Sequence, residues 1–396
     1  MRVGILTNEL FDQRLGRMGG FGWAARESIR CFTEVPELGV DPVVVSSEVD
    51  LGAEPVIQVP AVLQRTNRVE FARRLRRERL ALLLTIDYRP NYLLPIRTLP
   101  RTPMIVWVRD PRGPEEDRRL ATLEVPGQPG RAAGVDPIDC RSFAGIARAS
   151  RLLRRRLLLA SPAPETLAPR AAEAFGIAPP ALRFLPNPVV ERPREPVAPR
   201  PGRPRIVFLG RLDPVKRPWL FVELARRFED VDFLMLGDSH VKGPGSWAPA
   251  NLPANLRLMG HVGGEQKLRL LESASALINT SIHEALPVSF QESLSVGIPI
   301  ISCTDTERVP SRFGFYVGSW DGDGAAGLDA FEAAVRKVLD DPESAASLGR
   351  AGRAWVERTH TRQRFASAFL KLAAEAGART SATEAALSAT AGRRRR

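Results

Sequence analysis

Short apolar runs recur along the first half of the chain and alternate with arginine-rich stretches whose apolar residues have helical spacing. Runs of this length, bounded by turn residues, are typical of buried strands in a parallel sheet. Helices are predicted between them at 23–32 and 65–79. The predicted strands are RVGILT, DPVVVSS, LALLLTID and PMIVWVRD. This alternation predicts a doubly wound α/β domain.

The alternation begins again after a proline-rich segment. Residues 187–204 carry more proline than a helix or an inner strand tolerates, so we expect them to link two domains. Ligands of open α/β sheets bind at the carboxyl ends of the strands, which predicts a cleft between two facing domains. The other expected regions are Rossmann-like domains at 1–186 and 205–360, a terminal helical extension at 361–376 and a disordered basic tail at 377–396.

Length and composition agree with two packed domains. The 396 residues exceed what one core usually supports, and 44% of them are hydrophobic. No apolar run approaches the roughly 20 residues of a spanning helix, and the N-terminal MRVGILTNEL lacks the apolar region of a signal peptide. The three cysteines are scattered and odd in number, so no disulfide framework is expected. These features predict a cytoplasmic protein.

The net charge of +12 comes mostly from arginine, since only five of the 57 basic residues are lysines. A charge of this size favours anionic partners such as nucleotides, lipid headgroups or nucleic acid. No recognition helix, zinc finger or aromatic RNA-binding pattern accompanies the charge. We therefore do not expect nucleic acid as a partner.

A basic turn, GRLDPVKRP, follows the predicted strand RIVFLG and opens a helix. Arg211 and Lys216 of this turn would lie at a strand end beside a helix N-terminus, where backbone amides and the helix dipole favour an anion. Arginine offers a planar pair of donors and lysine a mobile point charge, a combination that fits a diphosphate. The alternative is a pair of solvated basic residues near a turn.

The segment EALPVSFQE sets two carboxylates around a turn into a helix. Pro287 breaks the chain, so the helix is predicted to begin at Val288 and to carry Glu292 near its start. The two oxygens of Glu292 fit the vicinal hydroxyls of a ribose, and Glu284 in the preceding loop would lie nearer a sugar. The alternative is two capping or solvated glutamates. The residues whose backbone is expected to face a phosphate are Leu286, Pro287, Val288 and Ser289.

Two acids that hold sugar and ribose hydroxyls, with two cations that hold a diphosphate, form a site for a nucleotide-activated sugar. The order GRLDPVKRP, FLMLGDS, LRLMGHV and NTSIHEALPVSFQESLSVGIPIIS resembles the C-terminal domain of glycosyltransferase family 4, retaining enzymes of GT-B fold. The resemblance covers residues 204–360 clearly and the first half weakly. It implies that the loop at His261 and Val262 lies against the nucleotide base.

The resemblance also implies a fold and a set of roles. The fold is GT-B, with two Rossmann-like doubly wound α/β domains facing a central cleft. The N-terminal domain would bind the acceptor and the C-terminal domain the nucleotide sugar. The phosphate-binding arginine and lysine of the family match Arg211 and Lys216, and its two glutamates match Glu284 and Glu292.

A glycine-rich stretch, GRMGGFGWAARE, follows the first predicted strand. Gly19, Gly20 and Gly22 permit close approach of the backbone to a phosphate or an acceptor. The stretch does not fit the spaced dinucleotide-binding fingerprint. The resemblance implies that it closes on the diphosphate, and a merely flexible turn is the alternative.

The segment VWVRDPR departs from the family, whose members often have a histidine near this strand end. Arg109 and Asp110 occupy the place here. Asp110 would orient a sugar hydroxyl or contact the acceptor, and Arg109 would hold an anionic acceptor or a phosphate. A structural salt bridge is an equal alternative for both.

Asp321 and Asp323 in SWDGDG imitate the metal-binding DxD of a different glycosyltransferase fold. They lie in a glycine-rich loop before an amphipathic helix, so we predict a solvated loop. The histidines in the second half are separated and lack the spacing of metal ligands. Neither a metal nor a cofactor is expected.

The stretch NRVEFARRLRRERLALLL places arginines beside apolar residues of one helix. A surface helix that packs through its apolar face is one interpretation. Contact with an anionic membrane is the other, since some relatives act on lipid-linked acceptors. The protein would then lie peripherally at the inner membrane face.

These patterns predict a retaining, metal-independent glycosyltransferase that moves a sugar from a nucleotide donor onto the hydroxyl of a glycan, lipid-linked or small-molecule acceptor. Arg211, Lys216, Glu284 and Asp110 are the expected catalytic residues. One alternative is a glycoside hydrolase with Glu284 and Glu292 as acid and nucleophile. Another is a non-catalytic protein that binds nucleotide sugars.

Overall fold

The structure is a computed structural model, and it describes residues 1–7, 19–46, 60–63, 67–128, 130–189 and 202–378. Most of the predicted linker and nearly all of the predicted tail lie outside these ranges. Within them, no helix has both the length and the apolar character needed to cross a membrane.

Strands occur in both halves of the chain. Those in the first half are β1 (Arg2–Leu6), β2 (Asp41–Ser46), β3 (Ala61–Leu63), β4 (Leu82–Ile86), β5 (Met104–Trp107), β6 (Leu157–Ser161) and β7 (Arg183–Phe184). Those in the second half are β8 (Arg205–Leu209), β9 (Asp232–Leu236), β10 (Leu256–Gly260), β11 (Ala276–Asn279), β12 (Ile300–Ser302) and β13 (Gly314–Tyr316).

Helices alternate with these strands. In the first half they are α1 (Gly20–Glu34), α2 (Arg68–Arg77), α3 (Leu93–Thr98), α4 (Pro114–Ala121), α5 (Ser142–Leu152) and α6 (Pro164–Phe175). In the second half they are α7 (Pro218–Arg226), α8 (Gly264–Glu272), α9 (Val288–Ser295), α10 (Val309–Phe313), α11 (Leu328–Asp340), α12 (Pro342–Thr359) and α13 (Arg362–Glu375).

Each half builds one parallel sheet. The first has the order β3-β2-β1-β4-β5-β6-β7 and the second the order β10-β9-β8-β11-β12-β13. In both sheets the order reverses beside the first strand, between β1 and β4 and between β8 and β11. Such a reversal leaves a crevice at the carboxyl ends of the two strands. The predicted fold class, two Rossmann-like α/β domains, is confirmed.

The chain divides into two compact units that do not follow the predicted boundaries. The first comprises Met1–Gly113, Ile138–Val190 and His360–Arg396, and the second comprises Pro114–Pro137 and Glu191–Thr359. The segment Pro114–Pro137, expected in the first domain, therefore belongs to the second unit. The helical extension expected at 361–376 belongs to the first.

Apolar packing explains both reassignments. In the first unit, Phe365 of α13 lies 5.3 Å from the ring of Trp107 on β5 and 5.8 Å from that of Phe32 on α1, measured between ring centroids. In the second unit, Leu120 and Leu123 share a core cluster with residues of the second sheet's loops and helix α7. Aromatic and leucine side chains in such contacts contribute the largest burial energies.

The second sheet has a core of its own, in which Phe221 of α7 packs against two strands. Its ring lies 5.1 Å from that of Phe233 on β9 and 5.7 Å from that of Phe208 on β8. Helix α11 covers the same core with Phe331 and Val335. This packing fixes the strand ends from which the loops of the candidate site emerge.

Candidate functional site

The turn after β8 is built around a close approach of two backbones. A Cβ atom added to Gly237, after β9, would collide with the carbonyl oxygen of Gly210, and Gly237 has a φ of +141°. Only glycine fits such a position without strain. The amide of Gly210 donates to the carbonyl of Leu236, 3.0 Å away, which holds the start of the turn against the next strand.

Arg211 follows this close approach and pairs with an acid of the same turn. Its Nε lies 3.3 Å from Oδ2 of Asp213, and its side chain is 37% exposed. The other carboxylate oxygen of Asp213 accepts the amides of His240, at 2.9 Å, and Val241, at 3.3 Å. Asp213 therefore joins two loops at the carboxyl ends of the strands, which we call the ligand edge of the sheet. Part of the Arg211 side chain stays at the surface.

Lys216 and Glu284 meet directly at the reversal of the sheet. Nζ of Lys216 donates to Oε1 of Glu284 at 2.6 Å. The same oxygen accepts Asn279 Nδ2 at 3.0 Å and Ser281 Oγ at 2.6 Å. Lys216 comes from the turn after β8, whereas Asn279, Ser281 and Glu284 come from the end of β11 and its loop. The structure thus brings together two residues that are 68 positions apart in the chain.

Burial opposes the charge of Glu284, whose side chain is 8% exposed. The attraction of Lys216 and the hydrogen bonds from Lys216, Ser281 and Asn279 more than offset this cost, so the pKa of Glu284 lies below its usual value. Glu284 is consequently a carboxylate at neutral pH. It can accept hydrogen bonds from sugar hydroxyls, and it is poorly suited to donate a proton.

Arg217, which sequence reasoning missed, supports this pair from beneath. It is fully buried, and its backbone is left-handed, with a φ of +46°. The guanidinium donates to the carbonyls of Thr280, at 2.8 Å, and Trp320, at 2.7 Å, and to the sulfur of Cys303, at 3.2 Å. The hydroxyl of Thr280 in turn donates to the carbonyl of Lys216 at 2.6 Å. Arg217 thereby fixes the Lys216 turn to the loops after β11 and β12.

Helix α9 begins at Val288 behind Pro287, as the sequence predicts. The helix N-terminus is made by the predicted residues Leu286, Pro287, Val288 and Ser289. Glu292, on the second turn, makes no hydrogen bond to Lys216, Asn279 or Ser281 among the described residues. Its Oε1 instead accepts Nζ of Lys267 on α8 at 2.6 Å. Lys267 carried no motif in the sequence, so only the structure reveals this second lysine–glutamate pair.

The loop after β10 holds the two residues predicted near a base. The amide of His261 donates to Oδ2 of Asp238 at 2.9 Å, while the His261 side chain is exposed and Val262 is buried. Gly260 precedes them with a φ of +63°, a conformation that favours glycine. Asp238 therefore fixes the backbone of this loop to the end of β9.

The residues that the sequence singled out in the first unit are Gly19, Gly20, Gly22, Arg109 and Asp110. Gly19 is the N-cap of α1 and Gly20 its first residue, and a Cβ on Gly20 would meet open space. Asp110 pairs with Arg112, whose Nη2 lies 3.3 Å from the Asp110 Oδ2 atom. These residues are far along the chain from Lys216 and Glu284.

Arg109 is buried rather than presented to a ligand. Its Nη1 donates to Oδ1 of Asn187 at 2.6 Å, and its guanidinium lies 4.5 Å from the ring centre of Trp107. The backbone amide of Asn187 donates to Nδ1 of His360 at 3.1 Å. Burial, with a smaller contribution from Arg109, lowers the pKa of His360 to about 3. The network therefore contains a neutral histidine and an inward-facing arginine.

A buried charge pair lies beside this network. Asp87, fully buried after β4, accepts Arg89 Nη1 at 2.9 Å, and Arg89 stacks over Phe21 at 4.9 Å. Burial raises the pKa of Asp87, and the nearby Asp110 adds to this, against the opposing effect of Arg89. Sequence patterns gave no signal for this pair, because Asp87 sits at the end of an ordinary apolar strand.

The loop of Asp321, Gly322 and Asp323, here called the DGD loop, makes contacts with other parts of the protein. Arg119 of α4 donates to Oδ1 of Asp321 at 2.7 Å, and Trp219 Nε1 donates to the carbonyl of Asp323 at 2.8 Å. Asp323 also accepts the amide of Ala325 through its side chain. In the part of the chain that the structure describes, no group of three or more histidine, cysteine or acidic residues has the arrangement to hold a metal ion.

The family comparison bears on the unit that carries both lysine–glutamate pairs. Residues 190–355 match the model of a family described as glycosyl transferases group 1. The match spans the turn of Lys216, the loop of Glu284 and helices α8 and α9. It supports a glycosyltransferase. No curated protein matches the chain.

Solved structures share the whole two-unit fold at low sequence identity. Sucrose-phosphate synthase from Thermosynechococcus elongatus superposes with a TM-score of 0.64 at 14% identity, over 94% of this chain and 98% of that one. HepE of Anabaena, solved with UDP and glucose, superposes with a TM-score of 0.67 at 10% identity, over 95% of this chain and 100% of that one. A glycosyltransferase from Rickettsia africae superposes with a TM-score of 0.62 at 12% identity, over 95% of this chain and 98% of that one. The chain therefore has the fold of GT-B glycosyltransferases.

Proposed function

We propose that the protein is a retaining glycosyltransferase that transfers a sugar from a nucleoside-diphosphate sugar to an acceptor hydroxyl. The second unit would bind the donor and the first unit the acceptor. Arg211 and Lys216 would neutralise the diphosphate as it leaves, Glu284 would hold the sugar, and Glu292 would hold the ribose. Preorganised cations of this kind act most strongly where charge grows during the reaction.

The observation that carries the proposal is the Lys216–Glu284 contact at the reversal of the second sheet. The Lys216 side chain keeps a fifth of its surface exposed, at 20%, and an ammonium has three donors, of which Glu284 takes one. The remaining donors fit phosphate oxygens. The ionised carboxylate of Glu284 beside them fits sugar hydroxyls. One pair would therefore contact both the sugar and the diphosphate, the two groups joined by the bond that is broken.

The lowered pKa of Glu284 argues against the glycoside hydrolase alternative. The acid of such an enzyme has a raised pKa, because it must carry a proton at working pH. Glu284 has the opposite shift and a lysine at 2.6 Å. Release of free sugar from a simple glycoside, without any nucleotide, is therefore not expected.

The retaining course and the independence from metals are parts of the proposal. We expect the acceptor oxygen to attack from the face that the diphosphate leaves, with a phosphate oxygen taking the acceptor's proton. The configuration of the transferred sugar, read by NMR from the anomeric coupling, tests retention. An inverted product would contradict it.

Donor binding is the first test. UDP, GDP and ADP, their sugar conjugates and inorganic pyrophosphate are titrated against the protein, and the melting temperature is recorded. A ligand at 100 times its Kd stabilises the folded state by about 2.7 kcal/mol. The matched nucleotide sugar is then followed for transfer and for slow hydrolysis. Absence of stabilisation by every nucleotide would refute the proposal, and binding without transfer or hydrolysis would favour a non-catalytic role.

Contact with an anionic membrane at the inner face also stays a proposal. Helix α2 exposes several arginines and buries only Phe71 and Leu75, as a surface helix with one apolar face does. Sedimentation with vesicles of phosphatidylglycerol and phosphatidylcholine tests it. Equal sedimentation with purely zwitterionic vesicles, or none with either, would exclude an electrostatic membrane contact.

A further inference from the structure

The second lysine–glutamate pair joins two helices at the ligand edge of the second sheet. Lys267 lies on α8 and Glu292 on α9, with 2.6 Å between Nζ and Oε1. Their side chains are 17% and 14% exposed. An exposed surface pair leaves most of both side chains in water and contributes little. This pair is largely desolvated, yet both side chains retain some access to solvent.

Both partners keep hydrogen-bonding capacity for a ligand. The contact uses one of the three donors of the Lys267 ammonium and one oxygen of the Glu292 carboxylate. Among the residues that the structure describes, Oε2 of Glu292 has no other hydrogen-bond partner. A donor and an acceptor are therefore available side by side.

The pair lies between the proposed contact of the base and the proposed contact of the diphosphate. Helix α8 follows directly from the loop of His261 and Val262, the proposed contact of the base. Helix α9 begins beside the loop of Glu284, at the proposed diphosphate end. In any nucleotide the ribose lies between its base and its phosphates. A pair that bridges these two helices lies where the ribose would be.

Ribose hydroxyls have the matching chemistry. Each hydroxyl donates one hydrogen bond and accepts others, so it can donate to a carboxylate and accept from an ammonium at once. We propose that Lys267 joins Glu292, the ribose contact of the proposed function, in recognising the vicinal hydroxyls, and that Lys267 makes the site select ribonucleotides over 2′-deoxyribonucleotides. This inference rests on the proposed function.

The experiment compares two ligands in two proteins. The nucleoside diphosphate that stabilises the protein most among UDP, GDP and ADP, and its 2′-deoxy counterpart, are titrated by calorimetry into the wild type and Lys267→Met. We expect the wild type to prefer the ribonucleotide by about tenfold or more, the effect of one lost charge-assisted hydrogen bond. In Lys267→Met this preference should fall several-fold, through weaker binding of the ribonucleotide, while Glu292 keeps its own hydrogen bond to the ribose.

Controls separate recognition from stability and from the proposed function. Lys337→Met removes an exposed lysine of α11 and should leave the preference unchanged. Lys267→Arg should retain most of the preference. Pyrophosphate, which lacks a ribose, should bind the wild type and Lys267→Met equally.

An unchanged ribose preference in a folded Lys267→Met protein would overturn the inference and leave Lys267 as a link between two helices. Equal loss of pyrophosphate and nucleotide binding would overturn it as well, since the effect would not be specific to the ribose. Failure of all nucleotides and pyrophosphate to bind the wild type would instead refute the proposed function.

Discussion

The two α/β units have the same strand order around their first strands, yet their ligand edges carry charge in different ways. In the second unit, Arg211 and Lys216 keep 37% and 20% of their side chains exposed. In the first unit, Arg89 and Arg109 are buried and face internal partners. Arg211 and Lys216 are thus partly exposed at the edge of one sheet, whereas Arg89 and Arg109 are buried at the edge of the other.

The strand order determines which edge of a sheet can hold a ligand. The exposure of the charged side chains at that edge determines whether it can bind an anion. A cation with free donors at a strand end can exchange water for phosphate at little cost. A buried arginine that already donates to protein acceptors would have to break those bonds first, and a buried group left unpaired costs about 1–3 kcal/mol. The predictions below test this contrast from its largest consequence to its smallest.

Removing the exposed cations should have the largest effect. We expect Arg211→Ala and Lys216→Ala each to lower turnover by on the order of 10²-fold or more, by analogy with the loss of an oxyanion donor. Initial rates of transfer, or of donor hydrolysis, measure this. Lys242→Ala, which removes an exposed lysine of the same unit, should remain near wild type. Near-normal rates in both Arg211→Ala and Lys216→Ala would contradict the assignment.

Removing a buried cation of the first unit should instead weaken the fold. Arg109→Met leaves Oδ1 of Asn187 without the donor now at 2.6 Å, which should cost about 1–3 kcal/mol in the free energy of unfolding. Urea titrations measure this cost, and calorimetry should show unchanged binding of the nucleotide donor. A stable Arg109→Met protein that has lost donor binding would reverse the contrast between the units.

The first unit should also be the more sensitive to acid. The unfolded state takes up a proton on His360 near its ordinary pKa of 6.5, whereas the folded state does so only near about 3. Stability is therefore lost as the pH falls from 6.5 towards 3, by about 1.4 kcal/mol per pH unit at most. His360→Asn keeps an acceptor for the Asn187 amide but cannot be protonated. Its unfolding free energy should fall less steeply over this range, and parallel curves for both proteins would refute the prediction.

Glu284 of the second unit also loses its contribution to stability as the pH falls, but in a lower pH range. Its lowered pKa contributes stability that is complete above its ordinary value and is lost only when the pH falls through the lowered one. When nucleotide binding is measured at decreasing pH, it should therefore persist below the pH at which the contribution of His360 to stability starts to be lost. Loss of binding that tracks the ordinary glutamate pKa would contradict the strong coupling to Lys216.

The smallest effect is expected at the DGD loop. Asp321 is 65% exposed and pairs with Arg119, so Asp321→Asn should change stability by less than about 1 kcal/mol. Activity should stay within about twofold of wild type, with or without EDTA, since an exposed pair of this kind has little coupling to the fold. A large loss in either assay would point to a bound metal and refute the solvated-loop interpretation.

Local patterns were sufficient for the framework of the candidate site. The break at Pro287 correctly predicted the start of α9, and the apolar run before Arg211 predicted β8. Both signals are local, because proline restricts its own neighbourhood and a buried strand needs consecutive apolar residues. The sequence predicted that Lys216 and Glu284 both lie at strand ends, but only the structure shows their direct contact.

Other features depend on contacts between distant segments and leave no local pattern. Arg217 and Lys267 look like ordinary basic residues in the sequence, and only the folded loops show one fully buried and the other paired with Glu292. The place of α13 on the first sheet follows from its aromatic contacts with Trp107 and Phe32, which no spacing rule predicts.

The assignment of Pro114–Pro137 to the second unit limits how the protein can be divided. Leu120, Leu123 and Val125 of this segment cover Trp219 and Val215, next to Lys216. A fragment that starts after the proline-rich linker would lack this cover and expose apolar surface to water. Chimaeras that exchange donor halves between relatives should therefore carry the segment with the half that it covers, and a split at the linker alone should yield an aggregating product.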